Sequence, residues 1–124
     1  MTLNRRRLLA GAAMLMLWPG SVRAAPPTQS EAMLDLLPDR AGAARLGAQW
    51  VAQEHTEPRE ILESLQRRLR WSADADTDTL RHNLANAIAE DFHSGTVVAV
   101  QGWQIARTQA ELCALAYFAA AGRV

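Results

Sequence analysis

Apolar residues recur at helical spacing through most of this chain, and that period constrains the fold more than any single motif does. The clearest case is residues 77–93, where apolar side chains occur at every fourth position: Leu80, Leu84, Ile88 and Phe92. Side chains at this spacing lie near one face of an α-helix. Gly95 then offers a residue that suits a helix end. We therefore predict an amphipathic helix over residues 77–93, with these four side chains in the core.

Two earlier segments show the same period. In residues 40–54 the apolar face consists of Leu46, Trp50 and Val51, and small residues such as Gly47 permit close packing on one side. Residues 58–71 begin with a proline, which suits the first turn of a helix. Their apolar positions are Ile61, Leu62, Leu65 and Leu69. We predict one helix in each segment.

Charges are ordered along residues 58–71. Glu63 and the acidic residues before it precede Arg67, Arg68 and Arg70. This order complements the helix dipole, because cations are favoured at the carboxyl end. The three arginines are therefore either a solvated helix end or a patch that binds an anion or an acidic partner, and the sequence leaves both interpretations open.

The hydrophobic period changes from 3.6 to 2 over residues 96–106, which predicts a β-hairpin. A two-residue turn at Gln101-Gly102 would place four apolar side chains on one face: Val98, Val100, Trp103 and Ile105. A two-stranded hairpin is not stable alone in water. Its apolar face must therefore pack on the helices, or its edge must pair with another chain.

A final helix is predicted after the hairpin, opening with a capping box from Thr108 to Glu111. The fold class is thus mostly α, with three helices, a hairpin and a last helix in one small domain over residues 33–124. Residues 25–32, rich in proline and polar residues, are expected to form a flexible leader.

Residues 1–24 have the order of a cleavable export signal. An arginine run is followed by an apolar segment of eleven residues, Leu8 to Trp18, and small residues then lead to Ala24. Because a membrane-spanning helix needs about 20 apolar residues, we predict cleavage after Ala24 and no stable membrane anchor.

The segment from Asn4 to Leu9 resembles a twin-arginine signal. Arg5 and Arg6 form the pair, and Leu8 and Leu9 follow it. The resemblance implies recognition by the twin-arginine (Tat) translocase and export of an already folded protein to the periplasm. An ordinary secretory signal rich in arginine is the alternative.

The 100 residues after Ala24 contain nine Arg, no Lys and thirteen Asp or Glu, so their net charge is −4. Nucleic-acid-binding domains normally carry a basic patch, so this class is disfavoured. Cys113 is the single cysteine of the chain, which excludes an intramolecular disulfide. Its thiol is either buried or paired with another chain, and its apolar neighbours favour burial.

Residue patterns that carry catalysis are weak in this sequence. It has neither a Gly-x-Ser-x-Gly elbow nor a glycine-rich phosphate loop. Glu90-x-x-His93, with His82 on the same polar side, matches half of a di-iron carboxylate pattern, but no second copy occurs. These three residues are the candidate metal ligands, and an ordinary hydrated helix face is the alternative. We expect no catalytic residues and no cofactor in this chain.

The segment from Thr108 to Leu115 resembles part of the terminal helix in the small subunits of periplasmic flavin-dependent sugar and alcohol dehydrogenases. Those subunits also pair a twin-arginine signal with a compact helical domain. The resemblance implies a non-catalytic accessory subunit of a larger periplasmic redox enzyme, with the flavin in the partner. The residues expected to contact that partner are Trp71, Gln101 and Trp103. The alternative function is a free-standing periplasmic module that binds a metal or small ligand on the His82 to His93 face.

Overall fold

The computed structural model describes residues 28–124 of the 124-residue chain. Within them the chain forms α1 (Gln29–Leu34), α2 (Arg40–Glu54), α3 (Pro58–Arg68), α4 (Thr77–Ser94), β1 (Val97–Val100), β2 (Trp103–Ala106) and α5 (Arg107–Ala120). This confirms a mostly helical fold with one antiparallel hairpin before the last helix. The predicted export signal, with Arg5, Arg6, Leu8, Leu9 and Ala24, lies outside the described residues, as do residues 25–27.

Helix α1 occupies positions where a flexible leader was expected, so that prediction is wrong for residues 29–32. The hydroxyl oxygen of Thr28 accepts a hydrogen bond from the backbone N–H of Glu31 at 3.1 Å. Met33 and Leu34 are buried in the core. Thr28-x-x-Glu31 has the spacing of a capping box, so the sequence did contain a signal for this short helix.

Helix α5 is the centre of the domain, because it contacts each of the other helices and both strands. Its closest neighbour is α2, whose bounds agree with the predicted segment. A Cβ atom on Gly47 of α2 would overlap the backbone carbonyl of Cys113 in α5. The predicted close packing at Gly47 is therefore confirmed, and it lets Trp50 and Phe118 be fully enclosed in the core.

Helix α3 ends three residues earlier than predicted. Arg70 adopts a left-handed conformation with φ of 52°, and the N–H of Trp71 donates to the carbonyl oxygen of Gln66 at 2.8 Å. This combination is typical of a Schellman helix end. Trp71 thus leaves the helix and packs, half-buried, against the core.

Helix α4 agrees with the predicted segment, but its buried face differs. The Asp76 side chain caps it by accepting from the N–H of Thr79 at 2.7 Å, a bond that lowers the pKa of Asp76. Leu80 is buried, whereas Phe92 is 52% exposed, so the prediction of Phe92 as a core residue is wrong. Each step of four residues overshoots a full turn by about 40°, which carries Phe92 about 120° away from Leu80. Asp91 takes the inward position instead.

The hairpin has the predicted register, with Val98 opposite Ile105 and Val100 opposite Trp103. Gln101 and Gly102 form the turn, with φ values of 52° and 83°. Two positive φ values are characteristic of a type I′ turn, whose twist matches the strands. Val100 is fully buried, but Trp103 is 73% exposed. The register confirms that Trp103 shares a face with Val100, but the helices do not cover its ring, so the prediction that this apolar face packs on the helices is wrong for Trp103.

The capping box predicted for the last helix is also wrong. Helix α5 already begins at Arg107, and both Thr108 and Glu111 are buried inside it. The side-chain oxygen of Gln109 accepts from the N–H of Ala106 at 2.9 Å. Among the helices of residues 28–124, none combines the length and apolar character required to cross a membrane.

Candidate functional site

A group of polar side chains lies buried where α3, α4 and α5 meet. We call Ser64, Arg68, Asp91, Thr108 and Glu111 the ion-pair cluster. Asp91, only 4% exposed, accepts hydrogen bonds from the backbone N–H of Thr108 at 2.7 Å, from its hydroxyl at 2.6 Å and from Arg68 Nη1 at 2.8 Å. Since Ala106 has no side-chain acceptor for the first turn of α5, Asp91 caps that helix from α4.

Glu111 forms the other half of the ion-pair cluster. Its carboxylate accepts from the Ser64 hydroxyl at 2.7 Å, and it lies 3.2 Å from Arg68 Nε and 3.3 Å from Arg107 Nε. The carboxylates of Asp91 and Glu111 thus face the guanidinium groups of Arg68 and Arg107, and these four charges balance. Buried charges are tolerated when paired and hydrogen-bonded in this way. The cluster therefore joins three helices through hydrogen bonds and ion pairs that satisfy both of its carboxylates.

The ion-pair cluster was not predicted from the sequence, although part of its signal is present there. Asp91 follows Leu80 by eleven residues, or about 20° more than three full turns of an α-helix, so it shares the inward face of α4. Glu111 lies between Ala110 and Leu112, which are both buried. Apart from Arg107, which lies four residues before Glu111 in α5, the charged partners of these carboxylates come from other helices, and no local pattern could identify those.

An exposed aromatic surface lies at the hairpin tip. We call Arg45, Leu46, Gln49, Gln101 and Trp103 the hairpin surface. Trp103 and these residues border an open groove of about 650 Å³ between the hairpin and α2. Within residues 28–124 the Arg45 side chain has no ion-pair partner. The hairpin surface thus presents a large aromatic ring beside an uncompensated positive charge.

The third predicted contact residue, Trp71, is not on this surface. It lies after α3, is half-buried and does not border the groove at Trp103. Trp50 is buried beneath the Arg107 guanidinium, whose central carbon is 5.4 Å from the ring centroid. Its indole N–H has no hydrogen-bond partner among the described residues. Of the chain's described tryptophans, Trp103 is the one whose ring faces mainly water.

The candidate metal ligands do not converge. His82, Glu90 and His93 are all exposed on α4, and His82 and Glu90 are about 12 Å apart along the helix axis. The His82 ring nitrogen instead lies 3.2 Å from the side-chain nitrogen of Asn86. In the part of the chain that the structure describes, no group of three or more His, Cys, Asp or Glu side chains is arranged to hold a metal ion.

Cys113 is buried and free, as its apolar neighbours predicted. Burial raises the pKa of its thiol to about 11, because the thiolate would lose its hydration. The thiol is therefore protonated near neutral pH and unsuited to nucleophilic attack in the folded protein.

The three arginines at the end of α3 have different environments. Arg68 belongs to the ion-pair cluster, whereas Arg67 and Arg70 are exposed. All three border a groove of about 400 Å³ between α3 and α4, together with Asn83 and Glu90. We call this the arginine groove.

Comparison with protein-family models, with curated proteins and with solved structures finds no match to this chain.

Proposed function

We propose that this chain is an exported, non-catalytic accessory subunit that binds a larger periplasmic protein through the hairpin surface. The observation that supports this proposal is the position of Trp103, which is 73% exposed at the hairpin tip and borders a groove on α2. Tryptophan is among the residues most enriched in interface hot spots, because its ring buries a large area with few rotatable bonds. Covering this ring with a partner would remove that apolar area from water.

The chemistry of the hairpin surface defines the partner that it fits. The exposed indole requires an apolar pocket, and Arg45 beside it favours a carboxylate at the rim of that pocket. Arg45, Arg67 and Arg70 are the three of the nine described arginines that form no ion pair among residues 28–124, and of these Arg45 is the one beside Trp103. A complementary carboxylate would help to orient the partner.

Folding without disulfides supports the proposed export route. Cys113 is the single cysteine of the chain and is buried, so the domain needs no oxidising compartment to reach its fold. A twin-arginine signal around Arg5 and Arg6 would carry such a folded domain, with its partner, to the periplasm. In this proposal the flavin or other redox cofactor belongs to the larger partner.

The experiment is affinity purification of the full chain, tagged at its carboxyl end, from the periplasmic fraction of its native host. Wild type is compared with Trp103→Ala and with Phe92→Ala, a matched control that removes another exposed aromatic side chain. We expect one larger protein in a fixed stoichiometric ratio with wild type and Phe92→Ala. Trp103→Ala should weaken that association by about tenfold or more, the effect of losing a hot spot.

Each part of the proposal has an outcome that would overturn it. Retention of the tagged protein in the cytoplasm would contradict export. Equal recovery of the partner with Trp103→Ala and wild type would exclude the hairpin surface as the contact. A self-associated chain without a larger protein, detected by sedimentation, would replace the accessory subunit with a homo-oligomer. Unfolding curves must show Trp103→Ala within about 0.5 kcal/mol of wild type, as expected for an exposed side chain.

A further inference from the structure

The arginine groove is a partly open groove with three arginines and two carboxylates at its border. It has a volume of about 400 Å³ and lies between the carboxyl end of α3 and the middle of α4. The polar side chains that border it are Arg67, Arg68, Arg70, Asn83, Asn86, Glu90 and Asp91. A cavity of this size is comparable with small-ligand sites in other proteins, which begin at about 300 Å³.

Arg68 is held rigidly at this groove by buried groups. Its Nη1 atom donates to Asp91 at 2.8 Å, and its Nε atom lies 3.2 Å from Glu111. Both carboxylates are buried, so they orient the guanidinium plane from inside the protein. Within residues 28–124 no hydrogen bond involves the third nitrogen, Nη2. A preorganised guanidinium donor loses little conformational entropy when it binds an oxyanion.

The charge balance of the groove favours an anion. Asp91 is already compensated by Arg68 and by two hydrogen bonds from Thr108. The remaining charges at the groove are those of Arg67 and Arg70 against Glu90, and none of these three forms an ion pair within the described residues. One positive charge is therefore left over, in a domain whose described residues carry a net charge of −4.

We propose that the arginine groove binds a small oxyanion, a carboxylate or phosphate carried by a small molecule. The Nη2 atom of Arg68 donates to the anion from a fixed position, and Arg67 and Arg70 add charge from the rim. The side-chain nitrogen of Asn83 is committed to the carbonyl of Leu69 at 2.8 Å, which leaves its oxygen to accept from a hydroxyl or amine of the ligand. This site shares no residue with the hairpin surface, so a test of one proposal does not decide the other.

The test is a titration of the full chain followed by amide NMR shifts, with inorganic phosphate and with succinate as the probes. Ionic strength is held constant with sodium chloride, because surface charges are screened by salt. The double variant Arg67→Gln/Arg70→Gln is compared with Arg59→Gln/Arg81→Gln. The control removes two exposed arginines that lie away from the groove, so the two variants have the same net charge.

We expect saturable shifts confined to the end of α3 and the facing residues of α4, in wild type and in the control variant. The groove variant should bind about tenfold more weakly, since charge-assisted contacts are lost. Shifts that do not saturate with either probe, or equal weakening in both double variants, would overturn the proposal. If neither probe binds but capture of the larger protein requires Arg67 and Arg70, the groove belongs to a protein interface and the small-molecule proposal is wrong.

Discussion

The ion-pair cluster and the hairpin surface differ in how completely the fold satisfies their side chains. In the cluster, Asp91 is 4% exposed and accepts three hydrogen bonds from α3 and α5. At the hairpin surface, Trp103 is 73% exposed and its ring has no covering layer of described residues. A charged group is therefore buried while a large aromatic group faces water, the reverse of the usual distribution.

The two regions therefore differ in role: the ion-pair cluster stabilises the fold, whereas we propose that the hairpin surface binds a partner. Removing a charge from water is costly, and the cost is offset only when partners are held in good geometry, as they are around Asp91 and Glu111. An exposed indole contributes little to folding, and because tryptophan is enriched in interface hot spots, we propose that Trp103 contacts a partner. The cluster accounts for how three helices are held together, and the hairpin surface is where we place the partner.

The largest expected effect comes from breaking the ion-pair cluster. Asp91→Ala removes the cap of α5 and leaves Arg68 without one of its two buried partners. We expect the free energy of unfolding to fall by about 3–5 kcal/mol, measured by urea denaturation. Glu90→Ala, one residue away but exposed, should change it by less than about 0.5 kcal/mol. Similar effects of the two substitutions would show that the buried network does not stabilise the fold.

A smaller effect is expected at the contact between α2 and α5, which supports the hairpin surface from below. Gly47→Ala would force its new methyl group against the backbone of Cys113, and overpacking of this kind costs about 1–3 kcal/mol. The loss should appear in thermal and urea unfolding, with partner binding weakened because α2 shifts. Ala52→Ser, at an exposed position of the same helix, should cost only about 0.5 kcal/mol. If Gly47→Ala had the same free energy of unfolding as wild type, α2 and α5 could move apart to accommodate the methyl group without a cost.

The smallest effect is expected at the hairpin turn. Gln101 has φ of 52°, a left-handed conformation that glycine adopts without steric cost. Gln101→Gly should therefore raise the free energy of unfolding by about 0.5 kcal/mol, after the greater entropy of glycine in the unfolded chain is counted. Gln104→Gly, within a strand, should lower it. If Gln101→Gly also abolished partner capture while Trp103 stayed in place, Gln101 itself would be a contact.

The sequence was most informative where the signal is local. The bounds of α2 and α4, the Gln101-Gly102 turn and the strand register all follow from hydrophobic period and turn residues over a few positions. The order of charges along residues 58–71 likewise agrees with the position of the three arginines at the end of α3. Helix α1 was not predicted, because the prolines and polar residues of this segment indicated a flexible leader and the capping signal at Thr28 was not considered.

The predictions of burial were wrong where either of two neighbouring residues could take the inward position. On α4 the hydrophobic period predicts that Phe92 lies in the core, yet the structure buries Asp91, because Arg68 and Thr108 of other helices bind its carboxylate. At the start of α5, Thr108 and Glu111 match a capping box in sequence, but in the structure they belong to the ion-pair cluster. These outcomes depend on contacts between residues 17 to 47 positions apart in the chain.

By itself, the sequence determined which segments are helices and where the hairpin turns, because these depend on the intrinsic geometry of short stretches of backbone. Only the tertiary structure decided which side chains are enclosed. It buried Asp91 and Glu111 and left Trp103 in water. The physical reason is that burying a charge is favourable only when its partners arrive from distant segments, and burying an aromatic ring requires a surface to cover it.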